Sequence, residues 1–207
     1  LRTEWFFARY PEIEQVRLHP VVVITGLQRT GTTLLHRLLS SDPRFRALLS
    51  WEAINPAPFI DTNNYPDDRR FKKAKSAENA LAYLSPDFFA VHPVEAESPE
   101  EDVILLDFAF RSTVPESTLR VPTYSKWLET VDHRPAYGYM ARLLKLLQWQ
   151  HSAERWILKS PHHLEYLDIL LELFPNAKII HTHRDPCTTL ASFCSMISHG
   201  RGVFSDH

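Results

Sequence analysis

Five β-branched residues in a row, Val21-Val22-Val23-Ile24-Thr25, run into Gly26-Leu27-Gln28-Arg29-Thr30-Gly31 and then into a leucine pattern. A continuous run of this kind suits a strand buried on both faces. Leu34, Leu35, Leu38 and Leu39 recur at helical spacing, and Ser41-Asp42-Pro43 marks the stop. The chain of 207 residues has fifteen prolines but only five glycines. Two glycines within one six-residue loop therefore mark a backbone that must turn tightly between strand and helix.

The last third repeats the theme. Arg155–Lys159 (RWILK) predicts a short strand. Ser160 suits a helix cap and Pro161 the first helical position. Leu164, Leu167, Leu170, Leu171 and Phe174 form the expected buried stripe, ended by Pro175-Asn176. Lys178–His183 predicts another strand. Asp185 then caps and Pro186 opens a helix with Leu190, Phe193 and Ile197 facing inward. Tyr137 to Gln150 carries Met140, Leu143, Leu144 and Leu147 on one helical face. The middle, about 52 to 135, is rich in proline and charge, with short helices expected near 67–83 and 99–110. Strands alternating with helices predict an α/β class: a three-layer, P-loop-like fold, with a mostly parallel central sheet flanked by helices. We read it as a single domain over residues 1–207. Ligands in such sheets lie at the C-terminal strand ends, where Arg29, Lys159 and Arg184 fall.

Hydrophobic residues make up 44% and charged residues 23%, with a formal net charge of −2. That balance argues against a general nucleic-acid or membrane binder. An anionic ligand must be held by a few placed cations. Cys187 and Cys194, seven residues apart on one helix, would be roughly 10 Å apart, too far for a disulfide. Two thiols without a disulfide framework fit a reducing compartment, and we expect a cytoplasmic location. No apolar run reaches the length of a membrane span. The start, Leu1-Arg2-Thr3-Glu4-Trp5, has neither an initiator Met nor a signal-peptide pattern. The end, Phe204-Ser205-Asp206-His207, has no helix terminus or tail, so further C-terminal sequence is expected.

The segment from Gly26 to Thr33 nearly fits the triphosphate loop pattern G-x-x-x-x-G-K-[ST], with Thr32 in place of the lysine. The physics of an anion cradle survives that change. Backbone amides at the loop and helix N-terminus converge on a negative group. Arg29 supplies the cation from within the loop, and Thr30, Thr32 and Thr33 add hydroxyl donors.

Arg29-Thr30-Gly31-Thr32-Thr33-Leu34 resembles the 5′-phosphosulfate loop of sulfotransferases. Arg184 to Ser192 resembles their 3′-phosphate motif, an arginine ending a strand with a serine eight residues later. Lys159-Ser160-Pro161 and the segment 173–178 complete a resemblance to tyrosylprotein sulfotransferases and a broad related bacterial family. It covers about 20–52 and 155–198. The late glycine-rich motif of cytosolic sulfotransferases has no convincing counterpart at Gly200-Arg201-Gly202.

The resemblance implies transfer of a sulfuryl group from 3′-phosphoadenosine 5′-phosphosulfate (PAPS) to an acceptor hydroxyl, leaving adenosine 3′,5′-bisphosphate (PAP). A phosphosulfate has no γ-phosphate, which fits the missing loop lysine. Arg29 and Lys159 would neutralise the leaving phosphate; Thr30, Gly31, Thr32 and Thr33 would cradle it. Arg184 and Ser192 would hold the 3′-phosphate. Arg29 and Arg184 must then open on one cleft. Glu52 is the expected general base, with His163 as its rival. The acceptor is expected to be a small molecule, sugar or lipid. Eleven histidines include His162, His163, His181 and His183, but none has zinc-site spacing, so no metal is expected. The competing readings are a P-loop kinase or NTPase and a non-catalytic nucleotide-binding module.

Overall fold

The computed structural model describes residues 2–18, 20–59 and 67–203. The expectation drawn from Phe204–His207 lies outside them. Four strands form one parallel sheet in the order β2-β3-β1-β4: β1 (Val21–Gly26), β2 (Phe45–Ala47), β3 (Arg155–Lys159) and β4 (Lys178–Thr182). Every residue of β1 is buried, because β1 is central. It pairs Ile24 with Lys159 on one side and Gly26 with Thr182 on the other. β2 has three residues, too few for a visible alternation, and β4 stops at Thr182 rather than His183.

The helices are α1 (Arg2–Arg9), α2 (Thr32–Ser40), α3 (Ser50–Ile54), α4 (Arg69–Leu84), α5 (Pro86–Val91), α6 (Val103–Asp107), α7 (Val114–Thr118), α8 (Pro122–Leu128), α9 (Arg134–Gln150), α10 (Leu167–Leu173) and α11 (Pro186–Gly202). The expected middle helices become α4 and the shorter α6.

Strand alternation sorts the sheet residues into two cores. Val21, Val23, Trp156 and Leu158 pack with Tyr137, Met140, Leu143, Leu144, Leu146 and Leu147 of α9. Val22, Ile24, Ala47 and Ile157 face the other way, against Leu35 and Leu39 of α2. The Trp156 indole N–H donates to Gln148 Oε1 at 2.7 Å, so the large ring is buried without an orphaned donor.

Three expectations about helix faces are corrected. In α2 the sheet-facing positions include Thr32 and His36, while Leu34 and Leu38 are 75% and 64% exposed. The stretch after Ser160 begins as a 3₁₀ turn, Pro161–Glu165, and becomes α10 only after Tyr166. Three residues per turn instead of 3.6 shifts the phase, so Ile169, Leu170 and Phe174 are buried and Leu171 is exposed. In α11 Leu190 faces solvent. Its inward positions include Thr189 and Gly200, because its C-terminal half packs on α5 and α7. There Arg201 Nη2 donates to the Glu116 carbonyl at 2.8 Å.

Candidate active site

The glycine loop leaves β1 at its C-terminal end and turns through three residues of positive φ: Gly26 (148°), Arg29 (66°) and Gly31 (93°). A side chain on Gly26 would collide with the Thr182 side chain and carbonyl, which is why the turn needs glycine there. Arg29 holds a left-handed conformation that costs a non-glycine residue roughly 1–2 kcal/mol. Thr30 Oγ1 pins the turn by donating to the Leu27 carbonyl at 2.6 Å, and it lies 2.6 Å from Thr182 Oγ1. Among the described residues, no backbone carbonyl takes the N–H groups of Gln28, Arg29 or Gly31. Free amides in a loop feeding a helix N-terminus are what a phosphate or phosphosulfate requires, so the residues present fit such a group.

The cations meet at this loop. Arg29 Nε donates to Ser192 Oγ of α11 at 3.0 Å, and Arg184 Nη1 donates to the Arg29 carbonyl at 3.3 Å. The two arginines are therefore neighbours at the C-terminal ends of β1 and β4. Asp185 caps α11 by accepting from Thr188 N at 2.9 Å, and this sets the direction in which Ser192 is presented.

Lys159, last in β3, shares the face of Ile157 and points toward α2. It is 2% exposed. Its Nζ lies 2.6 Å from Glu101 Oε1 and 3.5 Å from Thr33 Oγ1 at the start of α2. Its backbone N–H donates to Asp102 Oδ1 at 2.9 Å, and Asp102 Oδ2 takes a 2.6 Å bond from His163 Nε2. Desolvation pushes the Asp102 carboxyl upward, but the adjacent His163 charge and hydrogen bond, with backbone N–H donors, outweigh it and hold it below the usual carboxylate range. Tyr137 O–H completes the chain at 2.8 Å from His163 Nδ1, and burial raises that phenol well above its ordinary value. Beneath the loop, His36 of α2 is fully buried. Burial first, then the Lys159 charge, lower its imidazole to about 4. Neither of its ring nitrogens has a well-formed hydrogen bond among the described residues.

Residues 20–207 match the Sulfotransferase family. The chain belongs to the sulfotransferase family. It is 33% identical over 186 residues to the omega-hydroxy-beta-dihydromenaquinone-9 sulfotransferase Stf3 of Mycobacterium bovis and of Mycobacterium tuberculosis, covering 84% of this chain and 44% of the relative. Crystal structures of two sulfotransferases resemble it. STF1 of Mycobacterium tuberculosis has a TM-score of 0.87 at 32% identity, over 100% of this chain and 56% of that one. STF9 of Mycobacterium avium has a TM-score of 0.84 at 28% identity, over 98% and 52%. The chain spans about half the length of the relatives it matches.

Two of the expected site residues sit differently from their sequence reading. Glu52 lies in α3, where Oε1 pairs with Arg46 Nη2 at 2.7 Å and Oε2 accepts the Leu49 N–H at 3.3 Å. It lines a groove of about 550 Å³ with Arg37, Phe45, Arg46, Trp51 and His151, and no loop residue or Lys159 borders that groove. His163 is fully buried with both ring nitrogens occupied, so it has none left for an acceptor hydroxyl. Sequence reasoning missed Glu101, Asp102, Tyr137 and His36. The acidic run Glu100-Glu101-Asp102 ahead of α6 was the one signal that could have pointed to the first two. Among the described residues, no group of three His, Cys, Asp or Glu is placed to hold a metal ion, and no helix is long and apolar enough to cross a membrane.

Proposed function

We propose that this sulfotransferase takes PAPS as its donor and moves the sulfuryl group to a hydroxyl on a small-molecule, sugar or lipid acceptor. The observation that carries this reading is that Arg29, Arg184 and Ser192, 163 positions apart at most, are brought into hydrogen-bonding contact at the strand ends. An adenosine carrying phosphate groups at both 3′ and 5′ positions needs two cationic pockets one nucleoside apart. Arg29, the loop amides and the Thr30, Thr32 and Thr33 hydroxyls would hold the 5′ end; Arg184 and Ser192 would hold the 3′-phosphate.

Sulfuryl transfer is an in-line displacement in which charge develops on the leaving phosphate oxygen. Arg29 and Lys159 neutralise it. Arg29 presents a planar fork suited to phosphate, and Lys159 is already within 3.5 Å of Thr33 Oγ1. The Arg29–Ser192 bond must open as the donor enters. An apolar-tailed hydroxy acceptor is favoured by the relative whose name specifies a hydroxylated menaquinone. Both thiols are exposed and unpaired, in keeping with a reducing, cytoplasmic setting.

The test is a thermal-shift comparison. PAP raises the melting temperature of the chain, whereas ATP-Mg does so weakly. The reverse ranking would favour a P-loop kinase. PAP binding without any donor turnover would favour a non-catalytic module.

A further inference from the structure

We infer that the region from α6 to α8 docks on an anionic phospholipid surface, with Phe110, Leu119 and Trp127 entering the interface and Arg111, Arg120 and Lys126 meeting the headgroups. The inference stands on a surface away from the phosphate loop and does not depend on the donor reading.

The first observation is a strained residue. Beyond α6 the Arg111 N–H bonds back to the Leu106 carbonyl at 3.2 Å, and Phe110 takes a φ of 53°. This is the left-handed close of a helix end, a place that glycine fills without steric cost. A phenylalanine there adds strain, and burial does not offset it, because Phe110 is 78% exposed. The turn is nevertheless held firmly. Tyr124 Oη accepts the Ser112 N–H at 3.2 Å and donates to the Ser112 carbonyl at 2.7 Å. The Ser112 hydroxyl donates to Asp107, which engages that carboxylate within the turn. An aromatic ring presented to solvent by a fixed backbone has little ordering left to lose on binding.

Trp127 of α8 extends the surface. Its ring centroid lies 5.7 Å from that of Tyr124, and the Arg111 guanidinium lies 5.9 Å from the same indole. Trp127 and Leu119 are each 42% exposed. Leu119 and the exposed Arg120 belong to the link between α7 and α8, which pack on each other, as α6 and α7 do.

Charge selects the occupant. Residues 110–128 carry three cations, Arg111, Arg120 and Lys126, against one acid, Glu116, a balance of +2 in a chain of net −2. Glu129 and Asp132 follow only after α8, and Asp132 pairs with Arg134. The attraction is therefore local to this surface. Tryptophan and tyrosine favour the water–lipid boundary, and each Lys or Arg close to an anionic leaflet strengthens binding. A neutral apolar partner would leave the three cations unused, whereas an anionic bilayer engages rings and charges together. Docked in this way, the enzyme meets apolar-tailed hydroxy compounds where they are dissolved.

The experiment is co-sedimentation of the chain with phosphatidylcholine vesicles, with and without about one third phosphatidylserine, and with no nucleotide present. The anionic vesicles are expected to bind about 10–100-fold more tightly, with the preference fading at about 0.5 M salt. Arg120→Gln combined with Lys126→Gln should weaken that binding about 25-fold, roughly fivefold for each cation. Phe110→Gly separates docking from folding. It relieves the strained turn, so the melting temperature should rise about 2–4 °C, while binding to anionic vesicles falls about 10–100-fold. Unchanged vesicle binding in Phe110→Gly overturns the inference. So does equal binding to vesicles lacking phosphatidylserine, or binding to neither kind. Dimerisation that disappears in Phe110→Gly, read by sedimentation equilibrium, would assign the surface to a second copy of the chain and overturn it too.

Discussion

On one face of the sheet, α9 lays Tyr137, Met140, Leu143, Leu144, Leu146 and Leu147 against Val21, Val23, Trp156 and Leu158. On the other, α2 offers Leu35 and Leu39 to Val22, Ile24 and Ile157, turns Thr32 and His36 inward and leaves Leu34 and Leu38 in solvent. Lys159 belongs to this second, thinner face. The difference teaches where the molecule keeps stability and where it keeps chemistry. A dense apolar layer can hold the strands in register, and the opposite layer is then free to carry a lysine, a histidine and a strained loop. Each face nevertheless encloses a buried imidazole held well below its ordinary range, His162 beside Tyr137 and Tyr166, and His36 near Ile157 and Lys159.

The largest test of this contrast is Leu144→Ala. It opens a cavity in the packed face and is expected to cost about 2–5 kcal/mol in chemical denaturation, with the preference for PAP over ATP-Mg unchanged. A shifted preference would show that the faces are coupled. Arg184→Ala acts on the other side. PAP affinity should fall about 10–100-fold while adenosine 5′-phosphate binds as before. Equal losses for both nucleotides would remove Arg184 from the 3′ pocket.

Acid should strain both faces together. Burial, with the nearby His163 and His133 charges, lowers His162 to about 3, and His36 stands at about 4. Both folded values lie below the unfolded value near 6.5. Their contribution is therefore fully present above about pH 6.5 and is lost as pH falls toward 4 and then 3, at about 1.4 kcal/mol per pH unit for each ring. Urea midpoints at pH 7, 6 and 5 read this slope, and His162→Phe should flatten it. A midpoint constant down to pH 5 would contradict buried, neutral rings. The smallest effect is Leu34→Ala, within about 0.5 kcal/mol in the same denaturation assay, since that leucine packs against nothing buried. A cost of several kcal/mol would mean that the thin face is covered in solution.

Much of the fold could be read directly from short stretches of chain. The β-branched run, the glycine pair and the RWILK strand are local signals, and so is the Asp185-Pro186 cap. The structure realises each within a residue or two. The positions of Arg29, Lys159, Arg184 and Ser192 in the fold were legible for the same reason, because each sits where a recognisable element begins, ends or makes its second turn. Helix faces were less so. The leucines of α2 and the residues of α11 permit more than one buried stripe, and a periodicity does not say which side the sheet lies on. β2 was hidden by its three-residue length.

The sequence by itself determined an α/β chain with a tight glycine loop after its first strand and cations at or just beyond three strand ends. Those properties depend on backbone preferences and on neighbours within a few positions. Only the tertiary structure decided which carboxylate meets Lys159 and that His163 is sealed in the interior. Glu101 and Lys159 are 58 positions apart, His163 and Asp102 are 61 apart, and Glu52 turns back to its own helix. Contacts across such distances exist only once the sheet has closed around them, because no local preference in the chain distinguishes one glutamate of an acidic run from the next.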